Sequence, residues 1–216
     1  MKIILLTGFD AFDGETLNPS WEAVRQLDGE RVGDGYRIVA CQLPCVFSAA
    51  LETMASLLET LRPLVVIAVG QAGGSSELRL ERIAINIDDA RIPDNASQQP
   101  IDVPVVADGP AAYFSTLPIK AIRAALGDAG IPASISQSAG TFVCNHVFYG
   151  LMHAAGMRED LRRAGFIHIP YLPSQAIRFP GAPSMGLDMI VAGLRIAVQT
   201  AMTAETDVRI SGGATH

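Results

Sequence analysis

The chain is short of charge: Lys, Arg, Asp and Glu make up 18% of its 216 residues, and the formal net charge is −6. A basic footprint is therefore missing, and with it the electrostatic grip that nucleic acid or an anionic lipid surface demands. Long apolar runs are missing too. The run "PLVVIAVG" is far shorter than the roughly 20 residues a bilayer-spanning helix needs. Aromatic residues make up only 6% of the chain, cysteines number three and histidines four. Cys41, Cys45 and Cys144 are odd in number and lack the spacing of a disulfide framework, which points to free thiols in a reducing compartment, the cytoplasm. The opening "MKIILLTGFDAF" has one lysine, an early Asp10 and no small-residue cleavage site, so it reads as a strand rather than a signal peptide.

Signature motifs are absent as well. There is no C-x-x-C or H-E-x-x-H to gather a metal. Ala72 stands where a dinucleotide fingerprint starting at Gly70 needs its second glycine. "GFDAFDG" lacks the Lys and Ser or Thr of a phosphate-binding loop, and no G-x-S-x-G elbow exists for a serine hydrolase. The expectation is a protein that works without metal or cofactor on a small or neutral partner, away from membranes and nucleic acid.

What is present is a core. Hydrophobic residues reach 49%, and strand-like and helix-like patterns alternate along the chain. "KIILLTGF" and "PLVVIAVGQAGG" read as strands buried on both faces, and "YRIVACQLP", "PASISQS" and "GFIHIPYLP" as further strands. "PSWEAVRQL", the stripe Leu51, Met54, Leu57, Leu58 and Leu61, "LPIKAIRAALGDAG" and residues 186–203 carry helical spacing. "LRLERIAINIDDARIPDN" alternates and then runs into a proline-bearing loop, to Asp108, that is expected to lie outside the core. The tail "SGGATH" is expected to fray. With no repeat or linker, the pattern predicts an α/β fold. It is a three-layer α/β/α globule with a mostly parallel twisted sheet, forming a single domain over residues 1–216. Ligands in such sheets sit beyond the carboxyl ends of strands, here the loops after "IILLT", "VVIAV" and "SISQS".

One such loop is "SQSAGTFVCNHVFYG". Thr141 is placed to cap a helix whose first turn holds Cys144, where free amides and the macrodipole favour thiolate and could steady an oxyanion. The plain reading of the same cysteine is a small apolar filler, as for Cys41 and Cys45. A thiol nucleophile needs an imidazole. His146 and His153 lie on the same helix at unsuitable offsets and His216 is in the tail, which leaves His168, on a strand expected to neighbour the one that feeds Cys144. The alternative is a structural histidine. Glu81 in "LRLERIAIN" could orient that ring, or be a surface carboxylate paired with Arg79 or Arg82. Arg91 is either an oxyanion partner or a structural ion pair. Taken alone, these residues fit a cysteine hydrolase, a cysteine amidase on a small lactam or amide, or a binding protein with an inert thiol.

Five blocks narrow this choice. "LLTGFDAFDGETLNPSWEAV", "VGQAGG", "ERIAINIDDARIPDN", "AGTFVCNHVFYGLMH" and "GFIHIPYLP" occur in the order and at the spacing of the pyrrolidone-carboxyl peptidase (pyroglutamyl peptidase I) family of cysteine peptidases, which the chain resembles from residue 5 to about 173. The resemblance implies an α/β/α homotetramer without metal or cofactor that removes N-terminal pyroglutamyl residues from peptides. It implies Cys144 as nucleophile, His168 as base, Glu81 as orienting carboxylate, and substrate contacts at Phe9, Phe12, Gln71, Phe142 and Val143. A lactam ring is neutral and has no ammonium, so aromatic and aliphatic walls with a donor and an acceptor suit it. The chain departs from the family's "GF-x-PFGG" at Ala11 and Asp13, and lacks the arginine often found after "QAGG".

Overall fold

In the computed structural model, which describes residues 1–213, the apolar N-terminal run is β1 (Lys2–Phe9) and is followed by α1 (Pro19–Val24), β2 (Arg31–Val32) and β3 (Tyr36–Leu43). Next come α2 (Phe47–Leu61), β4 (Val65–Gln71), β5 (Leu78–Glu81), β6 (Ile83–Ile85) and β7 (Ala112–Phe114). The remainder is α3 (Ile119–Asp128), β8 (Ala133–Ser136), α4 (Val143–Ala155), β9 (Arg163–Ile169), α5 (Pro173–Ala176) and α6 (Leu187–Thr203). A seven-stranded sheet runs in the order β2-β3-β1-β4-β9-β5-β8, and β6 pairs with β7 in a small second sheet. Strands β3, β1, β4 and β9 are mutually parallel, while β2 runs against β3 and β5 against β9. β2, β7 and α5 carry too few residues to show a period in the sequence.

Alternation divides the core into two. Ile4, Leu6, Ile67, Val69, Leu80 and Ile167 face α1, α3 and α6, whereas Leu5, Phe9, Val66, Ala68 and Phe166 face α2 and α4. That sandwich is the expected three-layer α/β/α architecture. α4 has no side-chain cap at its start, but buries Val143, Val147, Phe148, Leu151 and Met152. Each such side chain stabilises by about 1.5–3 kcal/mol against about 1 kcal/mol for a cap, so packing rather than capping holds this helix.

Two expectations are corrected here. β8 does not neighbour β9: β5 lies between them, and β8 is parallel to β5. The cause is the connection of residues 72–77, far below the dozen or so residues a parallel crossover needs, so the chain passes β9 and returns antiparallel. The loop after β6 has no buried residue over residues 95–108, as expected, but its first stretch is held in the core. Asp88, Ala90 and Asp94 are buried, and the Asp94 carboxylate accepts from Phe47 N at 3.0 Å and from Ala96 N and Gln98 N at 2.8 Å. Of the tail, Arg123 and Arg82 donate to the carbonyls of Ser211 and Gly212; residues 214–216, His216 among them, lie outside the described residues.

Candidate active site

Cys144 is the second residue of α4, and its Sγ lies 2.8 Å from where a Cβ on Gly70 would stand. The glycine therefore provides the seat for the thiol on the face of β4. Gly70 is the register partner of His168 on β9, so the imidazole is the next position across the sheet. On the other side of β9, Arg79 pairs with His168, and Glu81 follows two residues on, on the same face. The Glu81 carboxylate, 0% exposed, accepts from His168 Nδ1–H at 2.8 Å. That bond fixes the tautomer and leaves Nε2 free to accept a proton. Arg79 is exposed and Arg82 donates to the Gly212 carbonyl, so neither takes Glu81 as a surface partner.

The helix start differs from the one expected. Phe142, not Thr141, is the N-cap residue and offers no side-chain bond; the Thr141 hydroxyl instead donates to Asp89 O at 2.7 Å. The first helical bond runs from His146 N to Phe142 O, which leaves the amides of Val143 and Cys144 without an acceptor in the helix. The thiol is not favoured as thiolate. Burial pushes its pKa above the ordinary cysteine value, and the neighbouring Cys45 and Glu81 push it further. Helix-terminal dipoles are worth about 1 kcal/mol, less than the cost of taking a thiolate out of water, and desolvation wins.

Aromatic rings frame the thiol. Phe142 lies 6.0 Å from Phe12 and 5.3 Å, edge-on, from Phe47, while Phe166 sits 4.8 Å from the His168 ring. Phe9 is not a loop residue as the sequence suggested. It ends β1, is 2% exposed and packs 6.3 Å from Phe166, so it supports the site from the core. Val143 is 0% exposed and packs in the core beside the thiol's helix turn. Gln71 lines a cleft of about 350 Å³ at the end of β4 with Phe12, Arg91, Ile92, Tyr171 and Phe179. Arg91 is exposed and forms no ion pair among the described residues.

Among the described residues, His146 Nδ1 bonds to Asp88 at 2.7 Å, and His153 Nδ1 lies 2.8 Å from the Tyr113 hydroxyl. Among the described residues no three His, Cys, Asp or Glu side chains converge to hold a metal ion, and no helix is long and apolar enough to cross a membrane. Sequence reasoning missed Asp88, Cys45 as a neighbour of the thiol, and Gln175. Only Gln175 had a signal, since "LPSQ" is a proline-initiated turn whose third helical residue is a capping glutamine.

Known proteins share this chain's sequence and fold. The family described as Pyroglutamyl peptidase matches residues 1–204. Pyrrolidone-carboxylate peptidase of Cupriavidus taiwanensis is 63% identical over the whole of both chains, and that of Escherichia fergusonii is 57% identical over the whole of both. The crystal structure of pyroglutamyl peptidase I from Bacillus amyloliquefaciens superposes with a TM-score of 0.93 at 47% identity, covering 97% of this chain and 99% of that one. A mutant pyrrolidone carboxyl peptidase from Pyrococcus furiosus gives 0.90 at 41% identity, covering 93% and 98%.

Proposed function

The chain belongs to the pyroglutamyl peptidase family, and on that premise we propose that it removes N-terminal pyroglutamyl residues from peptides through a Cys144–His168–Glu81 triad. The observation that carries this reading is the buried His168–Glu81 hydrogen bond of 2.8 Å, one strand position from the glycine on which the thiol rests. His168 Nε2 takes the thiol proton as the sulfur attacks the pyroglutamyl carbonyl. Glu81 stabilises the imidazolium so formed and keeps the ring oriented. The negative oxygen of the tetrahedral species is steadied by the free amides of Val143 and Cys144. His168 then gives its proton to the departing amine, leaving a thioester. Water activated by the same imidazole releases pyroglutamate and restores the thiol.

Phe12 and Phe142 wall the neutral ring, and Gln71 and the Val143 backbone supply polar contacts. The free state of all three cysteines supports a cytoplasmic location. Family resemblance supports one catalytic domain acting as a homotetramer, without metal or cofactor. The experiment is hydrolysis of a pyroglutamyl anilide by wild type, Cys144→Ser and Glu81→Gln. Cys144→Ser should lose nearly all turnover while melting like wild type. Glu81→Gln should slow it less, by roughly a hundredfold to ten thousandfold on the scale of other triads. Unchanged turnover in Cys144→Ser would remove the nucleophile and with it the mechanism.

A further inference from the structure

Gln71 is the last residue of β4, and alternation turns its side chain to the opposite face from Gly70 and the thiol. It reaches into the 350 Å³ cleft beyond the strand end. A glutamine amide has two ends of nearly equal shape and opposite character, an accepting oxygen and a donating NH₂. Which end faces the cleft decides what the cleft recognises.

A buried neighbour sets that choice. Gln175, 2% exposed, accepts from Leu172 N–H through Oε1 at 3.1 Å. A backbone N–H can only donate, so this bond identifies the oxygen end of Gln175. Its Nε2 donates to Glu15 Oε2 at 3.3 Å and to Gln71 Oε1 at 2.9 Å. Glu15 is itself paired with Arg178, and its oxygen accepts from Gln175. Both ends of Gln175 are thus set by groups that cannot reverse their roles. Gln71 must turn its oxygen toward Gln175 and its NH₂ toward the cleft.

We propose that Gln175 is a positioning residue for substrate: through Leu172 and Glu15 it locks the Gln71 amide so that its NH₂ donates to a carbonyl oxygen of the bound pyroglutamyl peptide. The inference rests on the function proposed above, and two carbonyls share the required chemistry, that of the lactam ring and the first one of the leaving peptide. Were the lock absent, Gln71 could offer either end, and the donor would be present only part of the time.

The test is a double-mutant cycle of Gln175→Leu and Gln71→Leu, read as separate KM and kcat values on pyroglutamyl p-nitroanilide and on pyroglutamyl-alanyl-alanine. Each single variant should raise KM roughly three- to tenfold, the scale of one lost hydrogen bond, with kcat changed by less than about twofold. The double variant should be no worse than the poorer single, because Gln175 acts only through Gln71. A rise on both substrates assigns the contact to the ring carbonyl, and a rise on the tripeptide alone to the leaving peptide. Unchanged KM in Gln175→Leu, or effects that multiply in the double variant, would overturn the proposal. If Gln175→Leu does not fold, Gln71→Glu carries the same readout, being equal in shape but lacking the NH₂. Absence of turnover in the wild type would instead refute the pyroglutamyl reading itself.

Discussion

Glycine at position 70 is demanded by its neighbours rather than by its own backbone. A Cβ there would stand 2.8 Å from both Cys144 Sγ and the Phe166 ring, closer than side-chain atoms can approach without movement. The strand before it is a fully buried apolar run, so in the sequence this residue is only the end of "PLVVIAVG". Gly70→Ala should push the thiol off its seat on β4. A displacement of about 1 Å costs on the order of a hundredfold in rate, and overpacking costs about 1–3 kcal/mol of stability. The expected result is a kcat/KM lower by roughly a hundredfold in a protein that still melts cooperatively. Wild-type kinetics in that variant would mean that the thiol works from a different position.

Among the elements, α4 depends most on a partner that the sequence did not reveal. Asn145, 0% exposed, accepts from Ile85 N at 3.0 Å and donates to Ile85 O and Ile87 O at 2.9 and 3.0 Å. The first turn of the helix is thereby stitched to β6 and the loop that follows it. Asn145→Ala strands one backbone donor and two acceptors, each worth about 1–3 kcal/mol when left unpaired in the interior. A loss of about 3 kcal/mol is expected, which lowers the melting temperature of a chain this size by roughly 6–12 °C; calorimetry checks it, and a shift under about 2 °C would assign α4's position to packing alone. The sequence showed the layers, the long strands β1, β3, β4 and β9, and the helices α2, α3 and α6, because each carries a period over many residues. It showed Cys144, His168 and Glu81 as residue types able to work together. Its route to them was wrong, since β5 and not β8 lies beside β9, and that order follows from the length of one short connection. Asn145 was hidden because an asparagine in a helix's first turn announces a hydrogen bond without saying to what.

For the molecule as a whole, the consequence of burying thiols lies at alkaline pH. Cys45 is 3% exposed, and burial, then Asp94 and Asp10, raise its pKa from the ordinary 9.0 to about 12. Cys144 is raised for the same first reason. Below about pH 9 both folded and unfolded chains hold these protons, and the thiols add no pH dependence. Between pH 9 and 12 the unfolded chain releases the Cys45 proton while the folded one keeps it, so unfolding is favoured as pH rises. A single group with separated pKa values contributes up to about 1.4 kcal/mol per pH unit across that window. Urea midpoints of wild type should therefore fall from pH 9 to 11 more steeply than those of Cys45→Ala. The alanine variant should start lower at pH 7, because it leaves a small cavity, and the two curves should converge as the pH is raised. Parallel curves would show that Cys45 ionises in the folded protein as readily as in water, and that the core around the thiol admits solvent.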